Sequence, residues 1–578
     1  MSGSMTTGSA KDAAAADEAS PDAPSLAHRC LSVLAVVSLF TMLGLFWSEA
    51  LDSVPWDAAV CMAGYGTLVL LGVLAAVART RRGLGRLDLA VLGVAVVLAL
   101  AGFVVQHSFT DEGALTTQAA HELLAGHRVY GVDWPQIFGG PRVGATKTMG
   151  GQVVYGYDYP PLSVLLAAAA TAAGVPAAMA ATVTATAVFL LGVIAAWLLL
   201  PAPVRPAAVL VGIGLDHVLN YARDGYPAVI AVALLVPVVA SWHRTGASGR
   251  LGRRGVTAAL LLGAACATQQ MAWFLTPFLV VGILLMRLGE MPARQAVTVA
   301  ARYLGLAFAA FAAINAFFAV RDPAAWWEAI LLPLTDHSVP HGQGLIDISY
   351  YFVGGSGAVD FFSYATLLLY AGLLALYAVC FRRLGPAAAI LPWCAFYLST
   401  RSQDSYYTMM TPLWVVALGT TSPASFAGAA QLRWPRRARF ALPAVLLAAA
   451  ASCLGVALAT PAPFAMAVTA RHFAARGAEL DGVTMRLTNR SGETLSPKFA
   501  LSLSDGLSNY WRQDAGPARL APGQTATYVL RSRYGGYAPS PRMVLYAVTN
   551  HPMTISSTPA GWGAATPAQA GKAASAPG

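Results

Sequence analysis

Apolar runs long enough to cross a bilayer recur along this chain from Cys30 to Thr460, separated by short polar links. About 20 apolar residues span the hydrocarbon layer as a helix. Runs at Cys30–Trp47, Ala58–Ala78 and Leu87–Gln106 open the series. The alanine-rich region Leu162–Leu200, broken near Gly174-Val175-Pro176, has room for two spans. Ala207–Leu219 is shorter and leads into a polar turn containing Arg223, which predicts a re-entrant or interfacial piece. Further runs at 228–242, 256–267, 268–286, 301–320, 361–380, 386–399, 411–419 and 440–460 complete an all-α polytopic membrane protein of ~13 transmembrane helices.

Beyond residue 460 the period changes to two. Val483–Leu487, Lys498–Ser504, Thr525–Ser532 and Arg542–Thr549 alternate, with Gly, Pro and Asn between them. This predicts a β-sandwich over 461–556. Residues 1–28 and 557–578 lack periodicity and read as disordered tails. The transmembrane domain is then 29–460, with two large loops at 107–160 and 321–360.

Charge orients the chain. Residues 79–86 hold four arginines, and comparable clusters recur at 244–254, 382–383 and 433–439. Placing them inside puts the N-terminus in the cytoplasm. Both large loops and the C-terminal domain are then extracytoplasmic, on a multi-pass protein of the cell membrane. The chain is 57% hydrophobic and 11% charged, against about one quarter charged in soluble domains. The net charge of +10 lies mainly in short arginine-bearing links. Membrane lipids are therefore the expected partner, and nucleic acid is not. The six cysteines fall in or beside apolar runs and read as inert thiols.

Candidate chemistry concentrates in the first loop. Asp111-Glu112 precedes a short amphipathic helix with Leu115, Ala119 and Leu123 on one face. The loop closes on Tyr155-Gly-Tyr-Asp-Tyr-Pro-Pro-Leu162. By itself Asp111 reads as a helix cap and Glu112 as a first-turn partner of the helix dipole. Alternatively, one of them is a general base at the membrane surface. The tyrosines fit an interfacial belt equally well.

The order of these parts is more specific than any one of them. An acidic pair after an early span, a helix running into Leu-Leu-Ala-Gly-His-Arg-Val-Tyr130, and Tyr-Pro-Pro-Leu162 opening the next span resemble the GT-C superfamily of membrane glycosyltransferases. The closest likeness is to bacterial members that take mannose or a related sugar from a polyprenyl-phosphate carrier. The resemblance extends over residues 30–420 as architecture and is sharp over 108–162. It implies transfer of a sugar from a polyprenyl-phosphate donor to an extracytoplasmic glycan or lipid acceptor, with Asp111 or its rival Glu112 as catalytic base. Arg128, Tyr130, Asp158 and Tyr159 become candidates for substrate binding.

One feature departs from the family. Relatives often carry a Lys-Pro pair where this chain has Thr268-Gln269-Gln270. Arg223, Arg401, Arg128, His337 or His341 would have to supply the missing cation. Arg401 heads Arg-Ser-Gln-Asp404-Ser-Tyr406-Tyr, whose alternative role is a surface ion pair with Asp404 plus interfacial tyrosines. His337 and His341 are four residues apart, but Pro340 breaks the helical geometry of a metal pair. No DxD or HExxH run occurs, so neither metal nor cofactor is expected. Two rival classes stand beside the enzyme. A lipid-linked sugar flippase would place its charges at the bilayer midplane. A non-catalytic protein displaying the β-domain would not need Asp111.

Overall fold

The computed structural model describes residues 22–52, 55–105, 110–138, 144–431, 435–474, 479–503, 506–533, 535–538, 540 and 543–559. Most of both predicted tails (1–21 and 560–578) and parts of the first loop (107–109 and 139–143) lie outside them. Ordered structure reaches into both expected tails, so their boundaries shift outward, toward the termini. The first helix starts at Leu26, because Ser25 caps it by accepting the His28 amide at 3.2 Å. At the other end, Ser557 and Thr558 pair with Tyr546 and Leu545 in the last strand.

Among the described residues, nine helices are long and apolar enough to cross a membrane. They are Leu26–Gly44, Trp56–Val77, Arg81–Val104, Ala177–Leu199, Pro227–Arg244, Met271–Glu290, Ala293–Arg321, Asp360–Val379 and Arg437–Ala459. A tenth span is counted if Ala202–Gly214 and His217–Arg223, bent by 53° at Asp216, form one broken crossing. The break falls in the segment whose shortness suggests re-entry, and Asp216 sits there at φ 61°. The larger sequence-based count of ~13 includes apolar pieces too short to cross alone. Leu162–Ala172 has 11 residues, Gly252–Cys266 has 15 and Thr411–Thr420 has 10. Residues 385–398 divide into three helical turns, the middle one opening with Leu391-Pro392.

Pro227–Ser241 is the axis of the bundle, with nearly every residue buried. Small residues let its neighbours close in. Gly263 lies so near the next helix that a Cβ would stand 2.1 Å from the Ala307 carbonyl oxygen.

The C-terminal region is two sheets. One has the order β4-β5-β9-β8, with β4 Phe464–Phe473, β5 Leu480–Asn489, β8 Arg512–Ala515 and β9 Thr525–Arg531. The other has the order β2-β11-β10-β6-β7, with β2 Gly355–Ser356, β6 Lys498–Leu503, β7 Gly506–Leu507, β10 Val544–Asn550 and β11 Met553–Pro559. Alternate residues of both sheets share one core: Val483, Met485 and Leu487 with Phe499, Leu501 and Leu545. The final strand is β11, one hairpin beyond the last period-two run. β2 comes from the second loop, so the C-terminal sheet is built into the helical domain. A separate parallel pair joins β1 (His341–Gly342) to β3 (Arg401–Ser402).

Candidate functional site

The Ala267 carbonyl accepts the Leu162 amide at 2.9 Å, seating the Gln269-Gln270 turn on the Tyr-Pro-Pro-Leu segment. Gln270 Nε2 donates to the carbonyls of Asp158 and Ile330, at 2.8 and 2.9 Å. Tyr130 Oη donates to the Tyr159 carbonyl at 2.8 Å. Tyr157 Oη donates to the Pro160 carbonyl at 3.3 Å and lies 2.6 Å from Ser163 Oγ. Two separate parts of the chain, Tyr130 and the turn at 267–270, thus fix the backbone that carries Asp158 and Tyr159, and Tyr157 and Ser163 tie it locally.

The loop helix Asp111–Leu124 is capped by Thr110, whose Oγ1 accepts the Gly113 amide at 3.3 Å. This corrects the expectation that Asp111 is the cap. Thr110 Oγ1 also donates to the Asp224 carbonyl at 3.2 Å. Gly113 presses on that same carbonyl, where a Cβ would come within 2.1 Å of the oxygen. Leu115, Ala119 and Leu123 share a face, as the spacing predicts. That face packs on Val164 and Ala167 of the following helix, so protein rather than lipid covers it.

With the cap supplied by Thr110, Asp111 uses one oxygen locally: Oδ1 accepts the Glu112 amide at 3.0 Å. Its carboxyl is raised by burial, against the opposing field of Arg401, bonds from the backbone amides and the Thr146 hydroxyl. Glu112 is raised well above the carboxylate range by burial, Asp111 and Asp158, with a Tyr159 hydrogen bond and Arg401 opposing. Asp158 is pushed up to about 8 by burial, then by Asp111 and Asp336, against Arg401. Burial would lower Arg401, but Tyr406, Tyr159, Asp336 and Asp111 together raise its pKa.

Asp111, Glu112, Asp158, Tyr159, Arg401 and Tyr406 therefore form one electrostatic cluster. All are half-buried, and they come from three distant segments. Three polar atoms in it are buried without a hydrogen-bond partner among the described residues: Glu112 Oε2, Asp158 Oδ1 and Arg401 Nε. Such atoms cost free energy unless something completes them.

The structure adds residues the sequence reading did not single out. Thr146 touches Asp111, Asp336 acts on both Arg401 and Asp158, and burial, then Glu112 and Asp111, raise the Tyr226 hydroxyl. Ser338 Oγ accepts from Arg401 Nη1 at 3.4 Å and donates to Asp336 Oδ2 at 2.5 Å. Tyr226-Pro227 leads into an apolar helix just as Tyr159-Pro160 does, and this repeat was the available signal for Tyr226.

Other expected site residues are placed elsewhere. Arg223 is buried against Asp216 at 2.9 Å and over the Phe46 ring at 4.6 Å. Arg128 is exposed and pairs with Asp322 at 3.2 Å. His337 turns to Asn550, with Nδ1 2.9 Å from Oδ1. His341 flanks the cluster as the β1 partner of Arg401. Gln269 accepts the Gln270 amide at 2.7 Å and shapes the turn. Asp404 is exposed and heads a short helix, accepting the Ser405 amide at 2.8 Å. No ion pair joins it to Arg401, which instead faces the carboxylates of the loops.

No protein-family model matches the chain, and neither does any curated protein or solved structure.

Proposed function

We propose that this protein is a membrane glycosyltransferase of the GT-C type. It transfers mannose or a similar sugar from a polyprenyl-phosphate donor to a glycan or lipid acceptor. One observation carries this reading: a carboxylate and a guanidinium from distant loops, Asp111 and Arg401, act on each other within one half-buried cluster without forming an ion pair.

The chemistry needs a base on one side of the anomeric carbon and a cation on the other. Asp111 takes the proton of the acceptor hydroxyl as its oxygen bonds to the anomeric carbon. The bond from that carbon to the phosphate oxygen breaks, and its electron pair leaves with the polyprenyl phosphate. Arg401 stabilises this leaving group, and its unpartnered Nε is an available donor. Asp111 suits the base better than Glu112. Arg401 and the Thr146 hydroxyl favour its ionised form, whereas Glu112 lies beside two further carboxyls. Asp158, neutral below a pKa of about 8, is a second donor for the phosphate.

The arginine-rich links set the orientation in this reading, with the N-terminus cytoplasmic and the Asp111–Arg401 cluster and C-terminal domain extracytoplasmic. The short apolar helices complete a topology of ~13 crossings in which some segments are partial. The two C-terminal sheets face each other as a β-sandwich seated over the loops. The antiparallel pairing of β2 with β11 gives no support to a role confined to displaying that domain.

The test is reconstitution of the full chain in lipid nanodiscs with labelled polyprenyl-phosphate mannose and membrane-extracted acceptors. The proposal expects label to pass to a glycan or lipid product. A folded protein that transfers sugar from no polyprenyl-phosphate donor would refute it.

A further inference from the structure

Residues 146–154 of the first loop form a hairpin whose base lies at the carboxylate–arginine cluster and whose tip lies in the C-terminal region. The Val154 amide donates to the Thr146 carbonyl at 2.9 Å, and the Thr148 amide donates to the Gln152 carbonyl at 3.0 Å. At the tip, Met149 is fully buried in a cluster that includes Tyr546, Val548 and Ile555 of the C-terminal sheet. Tyr510 Oη, also from that region, donates to the Thr148 carbonyl at 2.8 Å.

One edge of the hairpin pairs with the second loop. The Met149 amide donates to the His337 carbonyl at 2.9 Å, and the Val339 amide to the Lys147 carbonyl at 2.8 Å. His337 has φ 48°, unusual for a residue with a side chain, and its ring is held by Asn550 at the end of β10. The next residue is Ser338, which meets Arg401. Thr146, at the hairpin base, meets Asp111. Each partner of the base–cation pair is therefore touched by a side chain on a strand whose neighbouring residues the C-terminal sheet holds.

Building on the glycosyl-transfer reading, we infer that Met149 and Tyr510 are positioning residues. Docking the hairpin tip into the C-terminal sheet fixes Thr146 at Asp111 and Ser338 at Arg401. The β-domain would then set the geometry of a site it does not line. Small displacements of reacting groups cost large factors in rate, so the dependence falls on kcat more than on donor KM.

The test uses the full chain in nanodiscs, with Tyr510→Phe, Met149→Gln and the conservative Met149→Leu. Two readouts are needed: steady-state transfer from polyprenyl-phosphate mannose, and backbone hydrogen exchange by mass spectrometry. Tyr510→Phe and Met149→Gln should lower kcat by about tenfold to a hundredfold with donor KM little changed, and Met149→Leu should restore it. Exchange should quicken in 336–343 and 400–404 as well as in 146–153. Faster exchange confined to 146–153, or kcat unchanged in Tyr510→Phe, would overturn the inference. If the unmutated protein transfers no sugar, the glycosyl-transfer reading fails, and the exchange pattern alone decides whether the C-terminal sheet is coupled to the cluster around Asp111 and Arg401.

Discussion

Arg401 opposes the burial that raises the Asp111 carboxyl, and Asp111 in turn helps hold Arg401 charged, yet no nitrogen–oxygen approach within 4.0 Å joins them. A closed ion pair would have spent both groups on each other. The observed separation leaves the carboxylate able to take a proton and the guanidinium able to receive an anion, with Ser338 and Asp336 holding the latter from behind.

Removing the cation should therefore hurt the leaving group most. Arg401→Gln is expected to lower kcat/KM by about a hundredfold to a thousandfold, the scale of losing a preorganised donor to developing charge. Arg401→Lys should recover part of this, because a point charge replaces the planar fork only partly. Steady-state transfer assays check both, and a glutamine variant within about twofold of the parent would contradict the assignment.

The pH dependence of kcat/KM follows from the Asp111 environment. Burial raises its pKa above the ordinary 3.8, and the base works only when ionised, so activity falls as pH drops through that raised value. Thr146 hydrogen-bonds the ionised form. Thr146→Val should move the acid limb to higher pH, and Thr146→Ser should leave it in place. A limb that stays put in the valine variant would contradict this.

Asp158 makes a separate prediction about stability. Its folded pKa is about 8, against an ordinary value of 3.8, so the folded protein binds the proton more tightly than the unfolded chain. Between those values the native state holds more protons, and stability falls as pH rises. Asp158→Asn should flatten that decline in thermal-unfolding curves taken from pH 4 to about 8. An unchanged slope would show that the carboxyl is not held neutral.

Gly113 tests the seating of the loop helix. A methyl group there meets the Asp224 carbonyl oxygen at 2.1 Å, and backbone cannot step aside as a flexible side chain could. Gly113→Ala is expected to cost about 1–3 kcal/mol by overpacking and to lower transfer by displacing Asp111. Thermal stability and rate measured together check it, and a variant unchanged in both would refute the close approach.

What the sequence made legible follows from the range of each signal. Long apolar runs and period-two strands are local patterns, so the spanning helices and most of the C-terminal strands could be read directly. The capping role of Thr110 was masked by the acidic residue beside it, since both types cap helices. Arg223 looked like a free cation because Asp216 lies beyond one helical turn and reaches it only through the break at that residue. Thr146, Asp336 and Ser338 carry no motif. They join the cluster through the pairing of two loops distant in sequence, a contact that no local pattern encodes. Arg401 and Tyr406 were legible because a polar, aromatic run between short apolar segments is unusual enough to read alone.

The most direct test of the account is sugar transfer by Asp111→Asn and Glu112→Gln, singly and together, in nanodiscs with labelled polyprenyl-phosphate mannose. Asp111→Asn should lose about a hundredfold or more in kcat, and Glu112→Gln should lose clearly less. The double variant should match Asp111→Asn within about twofold. Transfer at the parent's rate by the folded double variant would contradict the assignment of Asp111 as the base.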